Sequence, residues 1–271
     1  MAFSRKTWDR ARLRTAERDR LWELFQENSK LTVFDPPLSN EGVLQRMAEQ
    51  HEVYPYAHRP VVKLPPARST ASIPLSELIA RRTSAETLEE GALEIEQLAD
   101  LLHAAYGVTR TNQGTPYPRP FRAVPSAGAL YPLELFVHAQ NVASLPNGPY
   151  HYHPHQHVLH QLARDDSLGE LASAFIQPEF VAKAGCIVLI AAVFRRSTFK
   201  YGARGVRFAY LEAGHVAQNL CLSATAMDLG SRCLGGYVDS LLDAHLGLDG
   251  VTSSVIYAVG VGRAGEAEAS D

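Results

Sequence analysis

Pro125-Ser126-Ala127-Gly128-Ala129-Leu130-Tyr131-Pro132-Leu133-Glu134-Leu135 is the stretch on which the fold turns. Two prolines bracket a run of small residues, and Gly128 tolerates backbone angles that side chains forbid. Such a backbone can approach a flat ligand closely. The run then enters Leu133 to Ala139, which reads as a strand. From composition alone the same residues also read as a tight turn leading into that strand.

Working outward, Tyr150 to Leu162 reads as a hairpin, with strands either side of a turn containing Pro154. Cys186 to Phe194 is apolar, too short to cross a membrane, and reads as a buried strand. Ser254 to Gly260 is a last strand. Helices lie between. A short one starts at Pro74, with Leu75, Leu78 and Ile79 on one face, and ends near Arg81-Arg82-Thr83-Ser84. A second spans Glu90 to Tyr106, with Leu93, Ile95, Leu98, Leu101 and Leu102 as its apolar set and Gly107 as its stop. A loop is expected from Thr109 to Pro120, and a polar segment between the Cys186 strand and Gly205. The longest helix, Arg207 to Leu229, carries Ala213, Val216, Ala217, Leu220 and Ala224, with Gly230 as its cap and Gly235-Gly236 as a turn after it. The first fifty residues read as helix with polar turns, from the spacing of Trp22, Leu24, Phe25 and Leu31. A proline-rich extended arm follows, from Tyr54 to Ser69.

Bulk properties narrow the function. The 271 residues suit one large α/β or α+β domain or two small ones. At 46% hydrophobic and 20% charged, the chain belongs with packed soluble proteins. A formal charge of -3 gives no footing for nucleic-acid binding, which needs a basic face. No apolar run approaches the roughly 18 residues of a membrane span, and the charged start lacks the apolar middle of a secretion signal. Cys186, Cys221 and Cys233 form no CxxC pair, so a reducing cytoplasm is the expected compartment.

Several groups can carry chemistry. Arg81-Arg82-Thr83-Ser84 offers two forked cations and hydroxyls suited to a phosphate monoester, although paired arginines also form ordinary solvated faces. Gly235-Gly236-Tyr237 offers backbone N–H groups, or simply a turn. Lys200-Tyr201 is either a base pair or a surface Lys beside a core Tyr. His151, His153, His155, His157 and His160 suggest a metal, but Pro154 interrupts them and no Cys or carboxylate cluster follows, so no metal is expected. Glu212 and His215 lie three apart on the long helix, where a packing contact is preferred to an acid–base pair.

The order of these motifs carries a resemblance. Arg81-Arg82-Thr83-Ser84, the Pro125 to Leu135 run, Gly148-Pro149-Tyr150-His151-Tyr152, Lys200-Tyr201-Gly202 with Arg204-Gly205 and Arg207, and Leu211 to Leu220 together resemble the SagB-type azoline dehydrogenase branch of the FMN-dependent nitroreductase superfamily. Phe25-Gln26-Glu27-Asn28-Ser29-Lys30 is similar to that branch's N-terminal signature, with Gln26 where a His is usual. The resemblance implies an α+β flavoprotein fold, with a mainly antiparallel sheet flanked by helices, in a homodimer with its sites at the subunit interface and FMN held without covalent attachment. It implies an N-terminal helical segment and arm over residues 1–70, an FMN-binding domain over 71–265 and a frayed tail over 266–271. Arg81, Arg82 and Thr83 match phosphate contacts, with Arg263 as a further donor. Pro125, Ser126, Ala127 and Gly128 match the loop against the flavin ring, and Gly235 and Gly236 match backbone near N5. Simple nitroreductases usually carry a basic residue where Ala85 stands, so the phosphate must lean on other donors.

The implied activity is oxidation of thiazoline or oxazoline rings to thiazole or oxazole, in a peptide or a carrier-bound intermediate, with O₂ as acceptor. Lys200 and Tyr201 match the catalytic pair: as FMN takes a hydride, one of them takes the ring proton. Separate cyclodehydratase or carrier-protein chains are the implied partners. The alternatives are an NAD(P)H-dependent nitro- or quinone reductase, and a non-catalytic subunit of a peptide-modifying complex.

Overall fold

Side chains alternate faces along a strand, so a strand that is apolar at every position must be covered on both sides. The run β8 (Cys186–Val193) is such a strand, and a helical layer covers each of its faces. The structure is a computed structural model that describes residues 20–31, 39–68, 73–114, 119–162 and 168–265. The charged start and the acidic tail over 266–271 lie outside the described residues.

Eight strands form the main sheet. In chain order they are β1 (Val61–Lys63), β2 (Leu88–Glu89), β5 (Leu133–Ala139), β6 (Gly148–His153), β7 (Val158–Gln161), β8, β9 (Leu229–Leu234) and β10 (Ser253–Ala264). Their order across the sheet is β1-β7-β6-β5-β8-β10-β2, with β9 also paired to β10, and every pairing is antiparallel. The expected Thr109–Pro120 loop is instead a small hairpin of β3 (Val108–Thr111) and β4 (Pro120–Arg122), with residues 115–118 outside the description. The proline-rich arm adds β1 to the sheet edge, where Val62 pairs with Leu159.

The helices are α1 (Leu21–Asn28), α2 (Asn40–Ala48), α3 (Leu75–Arg81), α4 (Ile95–Tyr106), α5 (Leu168–Ser173), α6 (Pro178–Lys183), α7 (Arg195–Tyr201), α8 (Arg204–Ala226) and α9 (Asp239–Leu246). One core joins α4 and α8 to the sheet through Leu98, Leu102, Val216, Leu220, Val188 and Ile190. The other joins α6 and α9 to the opposite face through Phe180, Leu242, Phe136, Ile187 and Leu189. The result is an α+β fold with an antiparallel sheet flanked by helices.

Several boundaries differ from the sequence reading. Helix α4 starts at Ile95, because Glu94 forms a capping box with Gln97, and Leu93 instead bridges to Val142. The polar segment after β8 is helical, as α7. Helix α8 ends at Ala226, and Gly230 lies inside β9 instead of capping it. Asp228 makes the left-handed turn (φ +53°), a conformation that short polar side chains tolerate. A Cβ on Gly230 would stand 2.7 Å from Leu88 Cδ2, so a side chain there would displace Leu88 and glycine serves packing. The apolar residues of α1 and two of the three on α3 face solvent: Trp22, Leu24, Phe25, Leu75 and Ile79 are all exposed.

Candidate active site

The Pro125 loop holds a conformation that its residues do not favour on their own. Ala127–Ala129 form a single 3₁₀ turn with Gly128 at φ +63°. Ala129 (φ +51°) and Tyr131 (φ +46°) are also left-handed. Each of those two costs about 1–2 kcal/mol for an L-residue, strain of a kind that concentrates at functional sites. Surrounding groups hold it in place. The Tyr131 N–H donates to Ser126 Oγ (2.9 Å), Arg119 Nη2 donates to the Ala129 carbonyl (2.6 Å), and the Arg122 N–H donates to Tyr131 Oη (3.0 Å). Beneath the loop, Tyr106 Oη donates to Glu212 Oε1 (2.7 Å) and accepts from the Leu133 N–H (3.3 Å). Burial lifts the Glu212 carboxyl to about 7, against the opposing pull of Ser126, Tyr106 and Arg122. His215 is exposed, so it does not share the buried setting of Glu212.

Gly128 is where this loop meets Lys200 and Tyr201. A Cβ at Gly128 would stand 2.7 Å from Tyr201 Oη and 3.1 Å from Lys200 Nζ. Only a residue without a side chain lets both end groups reach the backbone. Lys200 and Tyr201 form the C-terminal end of α7, which Gly202 terminates at φ +54°. Lys200 Nζ lies 5.2 Å from the Tyr201 ring centre, and that ring packs edge-on to Phe208 at 5.0 Å. Two motifs far apart in sequence thus form one constellation.

The arginine motif sits elsewhere, alongside β9: the Ala85 N–H donates to the Ser231 carbonyl (2.9 Å). Arg81 and Arg82 are not equivalent. Arg81 bonds Asp228 (2.6 Å) and lies 3.7 Å from Glu77. The Arg82 guanidinium, among the described residues, has no hydrogen bond or ion pair, and its charge acts on Cys221 and Cys233. Thr83 is exposed. Arg263, near the end of β10, lies over Gly91 and pairs with both Leu229 and Glu89 across the sheet. Gly235 is exposed and open except for the Tyr257 ring at 4.0 Å, whereas Gly236 is pressed by Ile176. The two groups mark opposite ends of α8: Tyr201 packs on Phe208 near its start, and Arg81 bonds Asp228 just past its end.

The histidines of the β6–β7 hairpin are engaged elsewhere. His151 bonds Glu134 (2.7 Å), while His157 lies between Tyr152 Oη and the Pro65 carbonyl. Glu134 also receives Arg196 (2.6 Å) and the Tyr54 N–H (2.8 Å). Burial would raise this carboxyl, but Arg196 and His151 outweigh it and hold Glu134 down to about 2. Among the described residues, no group of three or more His, Cys, Asp or Glu is placed to hold a metal ion. No helix of the described residues is long and apolar enough to cross a membrane.

The sequence pattern of the nitroreductase family matches residues 79–263. The chain belongs to the nitroreductase family. A Methanocaldococcus jannaschii protein named as a nitroreductase is 38% identical over 168 residues, which cover 62% of this chain and 81% of that protein. The microcin B17-processing protein McbC of Escherichia coli is 34% identical over 134 residues, 47% of this chain and 49% of McbC. This nitroreductase-family chain therefore spans about half the length of that relative. In structure, it superposes on a chain of the E. coli microcin synthetase McbBCD complex with truncated pro-MccB17 bound, at a TM-score of 0.59 and 23% identity, over 91% of this chain and 92% of that one. That likeness shows a shared fold.

The flavin site implied by the resemblance can be tested against this geometry. A flat ring system needs backbone free of projecting side chains, which Gly128 and Gly235 provide. A phosphate needs uncommitted donors, which Arg82 provides. Each group suits part of FMN, yet within one copy α8, 23 residues and about 34 Å long, separates the Gly128 end from the Arg82 end, so a single chain does not bring the two together. Arg119, Arg122, Arg196 and Glu212 surround or support the loop without having been picked out as site residues. Arg119 and Arg122 had a signal, as basic residues directly preceding the loop; Arg196 had none.

Proposed function

We propose that this protein is an FMN-dependent dehydrogenase that oxidises thiazoline or oxazoline rings to thiazole or oxazole in a peptide or carrier-bound intermediate. The observation that carries this reading is the contact of Lys200 and Tyr201 with Gly128 of the loop. Aromatising the ring removes a proton from one carbon and a hydride from its neighbour. FMN, when bound, supplies the hydride acceptor. The proton needs a base at the same place, and Lys200 Nζ and Tyr201 Oη are there, side by side over the one position that has no side chain.

The other residues support this role. Arg82 is the principal phosphate donor, with Arg81, Thr83 and Arg263 around it, while Gly235-Gly236 and, from a second copy, Pro125 to Gly128 provide the ring surface. The FMN-binding part is residues 71–265, and the arm within 1–70 wraps it. A homodimer is part of the proposal. Tyr210, Leu211, Ile176, Val238 and Leu241 are exposed apolar groups that a second copy can cover. Separate cyclodehydratase or carrier chains are the expected partners, in keeping with a relative named for microcin processing. O₂ is the expected acceptor, and the three free thiols suit a reducing cytoplasm.

The test uses the purified protein with FMN bound and an azoline-containing peptide. Lys200→Ala and Tyr201→Phe should each slow substrate-dependent flavin reduction by about 100-fold or more while FMN stays bound. Full reduction rates in both variants refute the base assignment. The M. jannaschii relative favours a second reading, reduction of a nitro group or quinone by NAD(P)H. Rapid bleaching of the flavin by NADPH alone selects that reading, and failure to retain FMN selects a non-catalytic subunit.

A further inference from the structure

An open cavity lies beside the meeting point of Gly128 with Lys200 and Tyr201. Ala129 and Phe199, which adjoin Gly128 and Lys200 in sequence, both line it. A ring held at the Lys200-Tyr201 pair would extend its flanking residues into this space.

The cavity walls are basic. Arg119, Arg122 and Arg196 line it, and among the described residues its one acidic lining group is Glu52, whose carboxylate lies 3.8 Å from His155. Arg196 is balanced by Glu134, although its Nη1 has no hydrogen-bond acceptor among the described residues. Arg122 is not balanced. It is 4% exposed, packed against the rings of Tyr106 (4.4 Å) and Tyr131 (4.9 Å), which meet each other edge-to-face. Its Nη2 donates to the Glu52 carbonyl (3.3 Å), and its Nε has no acceptor among the described residues. None of those residues forms an ion pair with it. A buried charge without a counter-ion is costly, and a fixed planar fork with spare N–H groups is built to receive a planar anion. Glu212 feels the charge of Arg122, but burial leaves that carboxyl only partly ionised near neutral pH.

We propose that this cavity binds a carboxylate of the substrate peptide next to the oxidised ring, with Arg122 as its principal donor and Arg119 and Arg196 supporting it. The peptide as substrate rests on the azoline reading above; the anion site itself does not. An acidic side chain and a C-terminal carboxylate offer the same chemistry.

Four thiazole-containing tripeptides separate these sources, with Glu or Gln beside the ring and an acid or amide at the C-terminus. Thiazole is the product, so isothermal titration of the FMN-loaded protein reads binding without turnover. One carboxylate arm should bind about tenfold or more tighter than its amide counterpart, and Arg122→Gln should abolish that preference. The arm that shows it identifies the source. Equal binding of all four peptides overturns the proposal, as does a preference that survives in a folded Arg122→Gln protein. If Arg122→Gln does not fold, Arg119→Gln should still weaken the preference by about threefold, and an unchanged preference there overturns the proposal. N-acetylglutamate serves as a free probe. If it binds the wild type but not the variant while no thiazole peptide binds, the anion site stands and the azoline reading fails. Inorganic phosphate binding in place of N-acetylglutamate overturns the carboxylate assignment.

Discussion

Replacing Gly128 by Ala perturbs two things at once, and a second glycine separates them. Gly128 sits at φ +63°, so an Ala there bears about 1–2 kcal/mol of left-handed strain. Its Cβ also meets Tyr201 Oη at 2.7 Å and Lys200 Nζ at 3.1 Å. Both groups must retreat by several tenths of an ångström, and turning Tyr201 off its rotamer adds about 0.5–1.5 kcal/mol. Gly128→Ala should therefore lose about 2–3 kcal/mol of stability in urea unfolding followed by circular dichroism. Gly247 has φ +70° with nothing within 4 Å of its would-be Cβ, so Gly247→Ala should lose only the first part. Stopped-flow flavin reduction by an azoline peptide reads the chemical consequence. A displacement approaching 1 Å costs about 100-fold in rate, so Gly128→Ala should be slowed by about 10- to 100-fold and Gly247→Ala hardly at all. Equal stability losses in the two variants, or an undiminished rate in Gly128→Ala, would refute the contact as drawn.

Other consequences can be measured directly. Glu134 is held at about 2 against an ordinary 4.5, so its ion pairs contribute about 3 kcal/mol that is fully present above pH ~4.5 and lost as pH falls toward 2. Urea midpoints at pH 7 and pH 3 should show this loss, and Glu134→Gln should remove most of it. Glu212 shifts the other way, from 4.5 to about 7, so its effect is to lower stability as pH rises from about 4.5 to 7, with no further change above. Glu212→Gln should flatten that fall and exceed the wild type in stability at pH 8. Arg207 donates to Ser29 Oγ (2.7 Å) and to the Gln26 carbonyl (2.5 Å), tying α1 to α8. Arg207→Ala should speed proteolytic cleavage within residues 21–28 several-fold, as read by mass spectrometry of the first fragments.

The strands were the most legible part of the chain, because β8 is apolar on both faces and β5 on one, and so they announce their burial. Gly128 was legible for a related reason, since glycine between small residues marks a special backbone position. Ala129 and Tyr131 share that left-handed backbone, yet neither residue type signals it. Arg119, Arg122 and Ser126 impose it through contacts that exist only after folding. Gly230 misled the reading of the α8 end because a glycine can serve packing as well as capping. Arg81 and Arg82 are adjacent and chemically alike, and only their neighbours, Glu77 one turn back and Asp228 across the fold, tell them apart. Arg122 is the extreme case: nothing local says that it will be buried against two tyrosines.

The edge strand β1 has a mechanical consequence. The cavity wall from Met47 to Glu52 lies just upstream of it, and three residue pairs with β7 join the arm to the sheet. Two further ties, from the Tyr54 N–H to Glu134 and from Arg122 to the Glu52 carbonyl, secure the wall itself. The arm also carries apolar groups into both cores, Leu64 and Val62 into one and Tyr54 and Tyr56 against the other. The wall is thus anchored through the arm that follows it, and moving it outward means giving up part of each core as well as the β1 pairing.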